Sequence, residues 1–266
     1  MHKIAVIIVN YYEEKLFGLI NSLLKEKTEK VQIEVIVVDN GSDEKDQVKL
    51  NQLNQDQKIK LTENHQDLGY AAGCNLGIHQ ALKDGCDAVI LINPDTKFDK
   101  GFLGKLSANK AEIVAPVFRF KRNNLWMNDF GGKVNWFGRT KHLECNPSTT
   151  LRAGNEMIDY VTGCCMMIRR KVFEKIGFFD ERFFMYFEDV DFCLRAKKAG
   201  FRVTVDPKAI LTHDIKEGIE KPLSQKLMHL KSNFLFINKW TPWFMRPVGY
   251  IYCLLLLIKI LLSGLT

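Results

Sequence analysis

The stretch Ile33-Glu34-Val35-Ile36-Val37-Val38 followed by Asp39-Asn40-Gly41-Ser42-Asp43 decides how this chain is read. A short, β-branched apolar run that ends on an acid and a turn reads as a buried strand of a parallel sheet. Its neighbours repeat the pattern. Upstream, Ile4-Ala5-Val6-Ile7-Ile8-Val9 reads as a first strand, followed by a helix over 13–25 with Leu16, Leu19, Ile20, Leu23 and Leu24 at helical spacing. Downstream, the pattern predicts a polar helix over 44–55, a short strand over 58–62, a Gly-punctuated helix over 69–83 and an apolar strand over 88–92 that stops at Asn93-Pro94-Asp95. Strands alternating with helices mark βαβ units. Ligands of open α/β sheets bind beyond the carboxyl ends of the strands, so Asp39 and Asp95 are expected to face one crevice.

Length and composition set the bounds. With 266 residues, 46% hydrophobic and 26% charged, the chain can bury a full core, and disorder is excluded. Seven cysteines without CxxC spacing point to neither a zinc site nor a disulfide framework, and so to a reducing, cytosolic setting. The amino terminus lacks the features of a signal peptide. The net charge of +7 is dispersed and carries no nucleic-acid signature, so an anionic membrane surface or a phosphorylated ligand accounts for it.

Between 118 and 160 the pattern loosens, with Arg119, Lys121, Arg122, Lys133, Arg139 and Lys141 interleaved with aromatics and broken by Gly131-Gly132. Two readings compete there, an active-site loop and an ordinary surface excursion. A strand is expected over 160–168, with Gly163 allowing close backbone approach. Next, Phe183-Phe184-Met185-Tyr186-Phe187-Glu188-Asp189-Val190-Asp191 places three carboxylates in an aromatic run. Such surroundings can tune a carboxylate as a general base, while the plainer alternative is a helix start with Arg195 paired one turn on. A helix over 189–198, capped by Gly200, and a strand over 201–205 follow.

The last sixty or so residues change character. Leu223, Leu227, Leu230, Phe234 and Ile237 form the apolar stripe of an amphipathic helix, and beyond Trp240, Trp243 and Arg246 comes a nineteen-residue apolar run, 248–266, with Lys259 its only charge. A membrane-associating tail is expected, with Lys259 favouring an in-plane or helix-paired segment over a lone span. Burial in a homodimer interface is the alternative use of the same surface.

Two pieces of chemistry follow from the residues alone. Asp95 at a strand end can share a divalent cation with substrate phosphates, and His213 after the strand at 210–212 is a further imidazole ligand if it is not simply structural. Asp39 can accept hydrogen bonds from a nucleotide or cap the next helix. No GxGxxG and no GxxxxGK[ST] occurs, which argues against a nicotinamide dehydrogenase and a P-loop NTPase.

Taken in order, Val6-Ile7-Ile8-Val9-Asn10-Tyr11-Tyr12, Val37-Val38-Asp39-Asn40-Gly41-Ser42, Asn64 with Leu68-Gly69-Tyr70-Ala71-Ala72-Gly73-Cys74-Asn75, Leu91-Ile92-Asn93-Pro94-Asp95, Thr162-Gly163 and Phe187-Glu188-Asp189-Val190-Asp191 resemble the family 2 inverting glycosyltransferases of the type A fold, in their bacterial rhamnosyltransferase-like branch. The resemblance covers about residues 3–240. It implies a nucleotide-diphospho-sugar transferase fold: a Rossmann-like, mainly parallel sheet flanked by helices, with C-terminal membrane-associated helices. The catalytic domain is expected over 1–215, with a nucleotide-sugar half over about 1–117 and an acceptor half over 118–215, and the amphipathic helix and apolar tail over 216–266.

By the same resemblance, Asn10, Tyr11, Asp39, Gly69, Asn75, Asn93 and Asp95 border the donor. Asp95 and His213 are the expected ligands of a divalent cation, Mn2+ or Mg2+. Asn93 departs from the family's Asp-any-Asp motif and removes one acid. Asp189 is the expected base and Glu188 an acceptor contact; Gly163 and Asp191 complete the acceptor side, Asp191 with a competing role as partner of Arg195. The implied activity moves one sugar, rhamnose from dTDP-rhamnose by first choice, to a lipid-linked or polysaccharide hydroxyl at the cytoplasmic face of the bacterial membrane. UDP-glucose, UDP-galactose or UDP-galactofuranose donors are the alternatives, and a catalytically degenerate sugar-binding subunit is the non-enzymatic one. Processive synthases fit less well, since their Gln-any-any-Arg-Trp motif is missing.

Overall fold

Six apolar residues of the first strand alternate between two cores, and this alternation organises the computed structural model, which describes residues 2–11, 15–26, 31–64, 67–147, 158–213 and 222–263. Ala5, Ile7 and Val9 point to one core, Ile4, Val6 and Ile8 to the other, as the two-residue period of a strand requires. Strands β1 (His2–Asn10), β2 (Val31–Asp39), β3 (Lys60–Glu63) and β4 (Ala88–Ile92) pair in parallel in the order β3-β2-β1-β4. Helices α1 (Leu16–Lys25), α2 (Glu44–Gln55) and α3 (Gly69–Lys83) make the crossovers. The boundaries expected for α2, α3 and β4 agree with these. The start expected for the first helix lies partly outside the described residues, and within them α1 begins at Leu16.

The second half completes the sheet. It contains β5 (Thr96–Phe98), α4 (Phe102–Ala108), β6 (Ile113–Arg122), β7 (Leu125–Val134), β8 (Thr140–Cys145), β9 (Cys165–Arg169), α5 (Arg170–Ile176), α6 (Glu188–Lys198) and β10 (Val203–His213). The ten-stranded order is β3-β2-β1-β4-β9-β6-β10-β5, with β7 and β8 extending from β6. Antiparallel β9 sits between β4 and β6, so it joins the parallel half to the other half. The strand expected over 201–205 is the first part of the longer β10, which continues to His213 after a register shift between Asp206 and Ile210.

The loosened segment 118–160 is the clearest departure from expectation. Instead of a loop, β6, β7 and β8 form an antiparallel meander. Its first turn is Asn123-Asn124, both left-handed at φ 52° and 61°, the geometry a two-residue hairpin favours. The expected strand at 160–168 is shorter, and Tyr160 instead bridges to Gly132.

Helices α7 (Leu223–Trp240) and α8 (Arg246–Ser263) form an antiparallel pair joined by a 3-10 turn at Trp243–Met245. Phe234 stacks on Tyr250 at 5.1 Å, and the Tyr250 hydroxyl donates to Asn238 at 2.7 Å. The buried face of α7 is Ser232, Asn233, Phe236 and Ile237, whereas Leu223, Leu227 and Phe234 of the expected stripe are exposed. The polar groups Ser232 and Lys239 turn inward because acids and carbonyls of the 180–191 segment need donors. Along α8, Ile251, Leu254, Leu255, Ile258, Leu261 and Leu262 are exposed. The helix is long and apolar enough to cross a bilayer, and only 11% of its most apolar window is buried.

Candidate active site

Asp39 ends β2 and is 2% exposed. It accepts from the Ser42 hydroxyl at 2.5 Å and the Ser42 amide at 3.1 Å, while the Asn10 amide donates to the Ser42 hydroxyl at 2.8 Å. The helix that follows is capped by Asp43, so Asp39 is not its cap. Asn10 Oδ1 is buried without a partner, an acceptor poised for a ligand donor at the ends of β1 and β2. Tyr11, just beyond β1, is 55% exposed.

Gly69 opens α3 at φ +82°, and a Cβ there would meet the Phe184 carbonyl at 2.4 Å, so only glycine fits. Its role is to let segment 183–187 approach α3; the next amide, Tyr70 N–H, donates to that same carbonyl at 2.7 Å. Asn75 departs from the donor-binding role expected of it. Its Oδ1 accepts from Phe179 N–H at 3.0 Å and its Nδ2 donates to the Phe179 carbonyl at 3.0 Å and to Glu181 at 2.8 Å. Both ends of the amide are thus engaged within the protein, clamping the approach to the acidic turn.

Beyond β4, Asp95 meets His213 Nε2 at 3.2 Å, because β5 pairs antiparallel with β10 and sets His213 opposite Thr96. Burial alone raises the Asp95 carboxyl, and the His213 imidazole more than offsets this, holding it below its usual value. Asn93 Oδ1 and His213 Nδ1 are both buried without hydrogen-bond partners. Among the described residues no group of three or more His, Cys, Asp or Glu side chains converges as a metal cage. A carboxylate and an imidazole with an unsatisfied amide oxygen beside them nevertheless fit a cation whose remaining shell comes from substrate oxygens.

The acids of the aromatic run are sorted by their partners. Asp189 Oδ2 accepts from Gly163 N–H at 2.7 Å, and Oδ1 from Val190 N–H at 2.7 Å. Gly163 has no side chain to spare: an added Cβ would sit 3.2 Å from Asp189 Cβ. The adjoining Cys164 carbonyl accepts from Asn93 N–H at 2.8 Å, so two consecutive residues tie the Asp189 side to the Asn93–Asp95 side. The Tyr70 hydroxyl donates to the Gly163 carbonyl at 2.7 Å and holds that turn in place. Asp191 is fully buried and held by Arg195 at 2.9 Å, Trp240 Nε1 at 2.8 Å and Lys239 at 2.7 Å. Fully buried, with both oxygens engaged inside the protein, Asp191 takes the competing role of partner to Arg195 instead of an acceptor contact.

Glu188 is 5% exposed and its Oε2 has no partner. Burial, and then the neighbouring Asp189 charge, push its pKa well above the ordinary range. Burial raises Asp189 too, against the Gly163 and Val190 amides, which favour its charged form. Glu188 is the more strongly raised of the two, and the Gly163 and Val190 amides favour the charged form of Asp189. The turn that presents both is strained: Tyr186 and Phe187 sit at φ +71° and +68°, at a cost of about 1–3 kcal/mol each. Helix α7 supports it, with Ser232 Oγ donating to the Met185 carbonyl at 2.7 Å and Phe236 and His229 packed on Phe187 at 5.1 and 5.3 Å.

The sign of the Glu188 effect on stability follows directly. Above the ordinary carboxyl value of 4.5, the unfolded chain has lost the proton that the folded chain still holds, so stability falls as pH rises through the folded pKa. Glu188→Gln removes that dependence. The variant is expected to match wild type near pH 5 and to melt a few degrees higher near pH 8. A calorimetric Tm series across this range checks it, and a variant less stable than wild type at pH 8 overturns it.

One part of the site has no counterpart in the sequence reading. His142 on β8 bonds Asp129 at 2.7 Å and meets Tyr160 edge-on at 5.4 Å, and Asp129 lifts its pKa. It sits on the meander within 118–160, where the sequence leaves an active-site loop and a surface excursion open, and Asn123-Asn124 is the turn signal there.

A parallel half with acids at its strand ends, joined by an antiparallel strand to a half that presents a carboxylate pair, is the architecture of a type A glycosyltransferase. The pattern of glycosyl transferase family 2 matches residues 4–177, and that of glycosyl transferase family group 2 matches residues 114–266. The chain belongs to glycosyl transferase family 2. It is 28% identical over 210 residues to the low-salt glycan biosynthesis hexosyltransferase Agl10 of Haloferax volcanii, covering 75% of this chain and 63% of that one, less than two thirds of the relative's length. It is 28% identical over 246 residues to the N-acetylglucosaminyl-diphospho-decaprenol L-rhamnosyltransferase of Mycobacterium tuberculosis, covering 82% and 79% of the two chains. The dTDP-rhamnosyl transferase RfbF of Shigella flexneri is 26% identical over 254 residues, covering 89% and 80%. Among solved structures, GalNAc-T7 with UDP, GalNAc and Mn2+ superposes with a TM-score of 0.69 at 15% identity, covering 89% of this chain and 48% of that one.

Proposed function

We propose that this glycosyltransferase moves a single sugar from a nucleotide diphosphate to a hydroxyl of a lipid-linked glycan, with inversion, in cell-surface glycan synthesis. The observation that carries the reading is the two-residue segment Gly163–Cys164, whose first N–H bonds Asp189 and whose last carbonyl bonds Asn93 N–H. A base and a diphosphate-binding strand end held at one point suit an in-line displacement.

In the mechanism, Asn10 and Asp39 bind the base and ribose of the donor. Asp95 and His213, with Asn93 beside them, would hold a divalent cation, Mn2+ or Mg2+, which supplies charge stabilisation to the departing diphosphate. Asp189, ionised and oriented by two amides, takes the proton from the acceptor hydroxyl as it attacks. Glu188, holding its proton, donates a hydrogen bond to the acceptor and keeps a second negative charge out of the site. Rhamnose from dTDP-rhamnose is the first choice, supported by the two rhamnosyltransferase relatives.

Acceptor lipid and tail belong together. The exposed face of α8, flanked by Trp243 at 78% and Phe244 at 62% exposure, suits a bilayer surface on the cytoplasmic side, and a homodimer through α7 and α8 is the competing use of that face. We read α7 as part of the catalytic unit, because it holds the acidic turn, and only α8 as tail.

A thermal-shift screen of nucleotide sugars with and without Mn2+ tests the reading. Specific stabilisation by dTDP-rhamnose is expected, about 2.7 kcal/mol at a hundredfold excess over Kd. Stabilisation by a UDP-sugar instead moves the donor to glucose, galactose or galactofuranose. If no nucleotide sugar raises Tm, the proposal fails.

A further inference from the structure

The Gly131-Gly132 break in the meander serves an arrangement that the chemistry above does not use. A bulge falls between Asp129 and Gly132 in the pairing of β7 with β8, and bulges re-aim side chains. Gly131 sits at φ +86°, where a Cβ would meet the Tyr160 carbonyl at 2.6 Å, and a Cβ on Gly132 would collide with the Tyr160 ring. Gly132 is also the register partner of His142, so the ring fills the space of the missing side chain, edge-on to the imidazole at 5.4 Å. Asp129 is the acid that the bulge presents. It is 7% exposed, accepts from Gly131 N–H at 2.9 Å through Oδ1 and holds His142 Nδ1 at 2.7 Å through Oδ2. A buried carboxylate needs such partners to stay charged, and in return Asp129 lifts the His142 pKa above its ordinary value.

Segment 158–163 ties this pair to the acidic helix. Lys197, Cys193 and Asp189 are spaced by four along α6 and share one of its faces. Lys197 Nζ donates to the Ile158 carbonyl at 2.5 Å and to Asp159 at 2.7 Å, Cys193 Sγ to the Val161 carbonyl at 3.9 Å, and Asp189 accepts from Gly163 N–H at 2.7 Å. Tyr160 stands within that segment, with His142 against its ring. The charges act on one another accordingly. Asp189 and Asp129 both bear on the Tyr160 phenol, and Asp95, Asp189 and Asp129 all bear on the Cys164 thiol. His142 and Asp189 each favour the other's charged form, and among the described residues no other cation acts on Asp189 more strongly. The other titratable groups around Asp189 are Glu188 on its own helix, Tyr160, Cys164, Cys193 and, from α3, Cys74; burial pushes all of them toward their neutral forms. Around His142 they are Asp129, Asp189, Glu144 and Tyr160.

We infer that Asp129 and His142 are a positioning pair whose imidazolium is the counter-charge of the Asp189 carboxylate. The pair acts through Asp189, which must be ionised to take a proton. That Asp189 is the base rests on the proposed function; the counter-charge is a property of these side chains themselves. Removing a cation disfavours the charged carboxylate, so its titration moves to higher pH. The difference fades as pH rises through the His142 pKa, because above it the wild-type imidazole is uncharged as well.

The test is a carboxyl NMR titration of the full chain isotope-labelled at aspartate, with the Asp189 signal identified by its loss in Asp189→Asn. It is set beside the pH profile of kcat/KM for the donor that the nucleotide-sugar screen identifies. In His142→Gln the Asp189 carboxyl is expected to titrate at higher pH than in wild type. The acid limb of kcat/KM is expected to move up with it, a several-fold loss at the acid end that closes toward the alkaline end. Asp129→Asn keeps the imidazole and the shape of its partner, and it is expected to move both measurements in the same direction by releasing the imidazole proton more readily. An Asp189 titration unchanged in both variants overturns the inference, and a uniform fall in kcat/KM beside it marks a merely structural role. A titration that moves while the acid limb stays in place supports the counter-charge and removes Asp189 as the base, so the two readings fail separately.

Discussion

Asp189→Asn is expected to lower transfer between about a hundredfold and ten-thousandfold, the range by which a positioned base accelerates a reaction, without loosening donor binding. The asparagine oxygen keeps one of the two bonds, to Gly163 or to Val190 N–H, while its amide nitrogen faces the other N–H, so a modest fall in Tm accompanies the loss of the base. Donor binding does not depend on either bond. Turnover measured with the identified donor, beside a thermal shift for donor binding, separates the two properties. Near-normal turnover would remove Asp189 from the chemistry, and loss of donor binding together with turnover would make it a structural residue.

Asp95→Ala has the second largest expected effect, at the other side of the Gly163–Cys164 segment. The carboxylate is the one acid on the strand end, since Asn93 occupies the companion position, so its loss leaves His213 without an anionic co-ligand. Charge stabilisation by a cation contributes several kcal/mol, and kcat/KM is expected to fall by roughly a hundredfold or more. The thermal shift that Mn2+ adds to donor binding should vanish as well. A variant whose donor binding still responds fully to Mn2+ would show that the cation is held elsewhere.

Much of this was legible in the sequence, and what was not has a physical cause. The parallel half could be read because β1, β2 and β4 are buried on both faces and therefore nearly continuous apolar runs, and because each ends on a polar residue that the crevice needs. Asp39, Asp95, Asp189 and His213 stand out for the same reason: acids and an imidazole at the ends of apolar runs are conspicuous. The meander is hard to read because β7, β8 and the end of β6 are only partly covered and carry exposed lysine, arginine and tryptophan, a pattern that resembles a surface loop. Asn75 and Asp191 show a different limit. Their residue types suit ligand contacts, and only packing shows that Phe179, Glu181, Arg195, Lys239 and Trp240 occupy every polar atom they have. The stripe on α7 was misread for a related reason, since burial there followed hydrogen-bonding needs of the acidic turn more than hydrophobicity.

The turn carrying Glu188 is stitched on two sides: to α3 through Asn75 and the Phe184 carbonyl, and to α7 through Ser232 and the rings around Phe187. Opening it would break both sets of contacts at once and release a strained backbone into water. The two carboxylates are consequently fixed furniture of the molecule. Whatever rearranges during a catalytic cycle must be drawn from other segments, and in the proposed mechanism the acceptor hydroxyl has to be delivered to Asp189, since the carboxylate cannot travel to it.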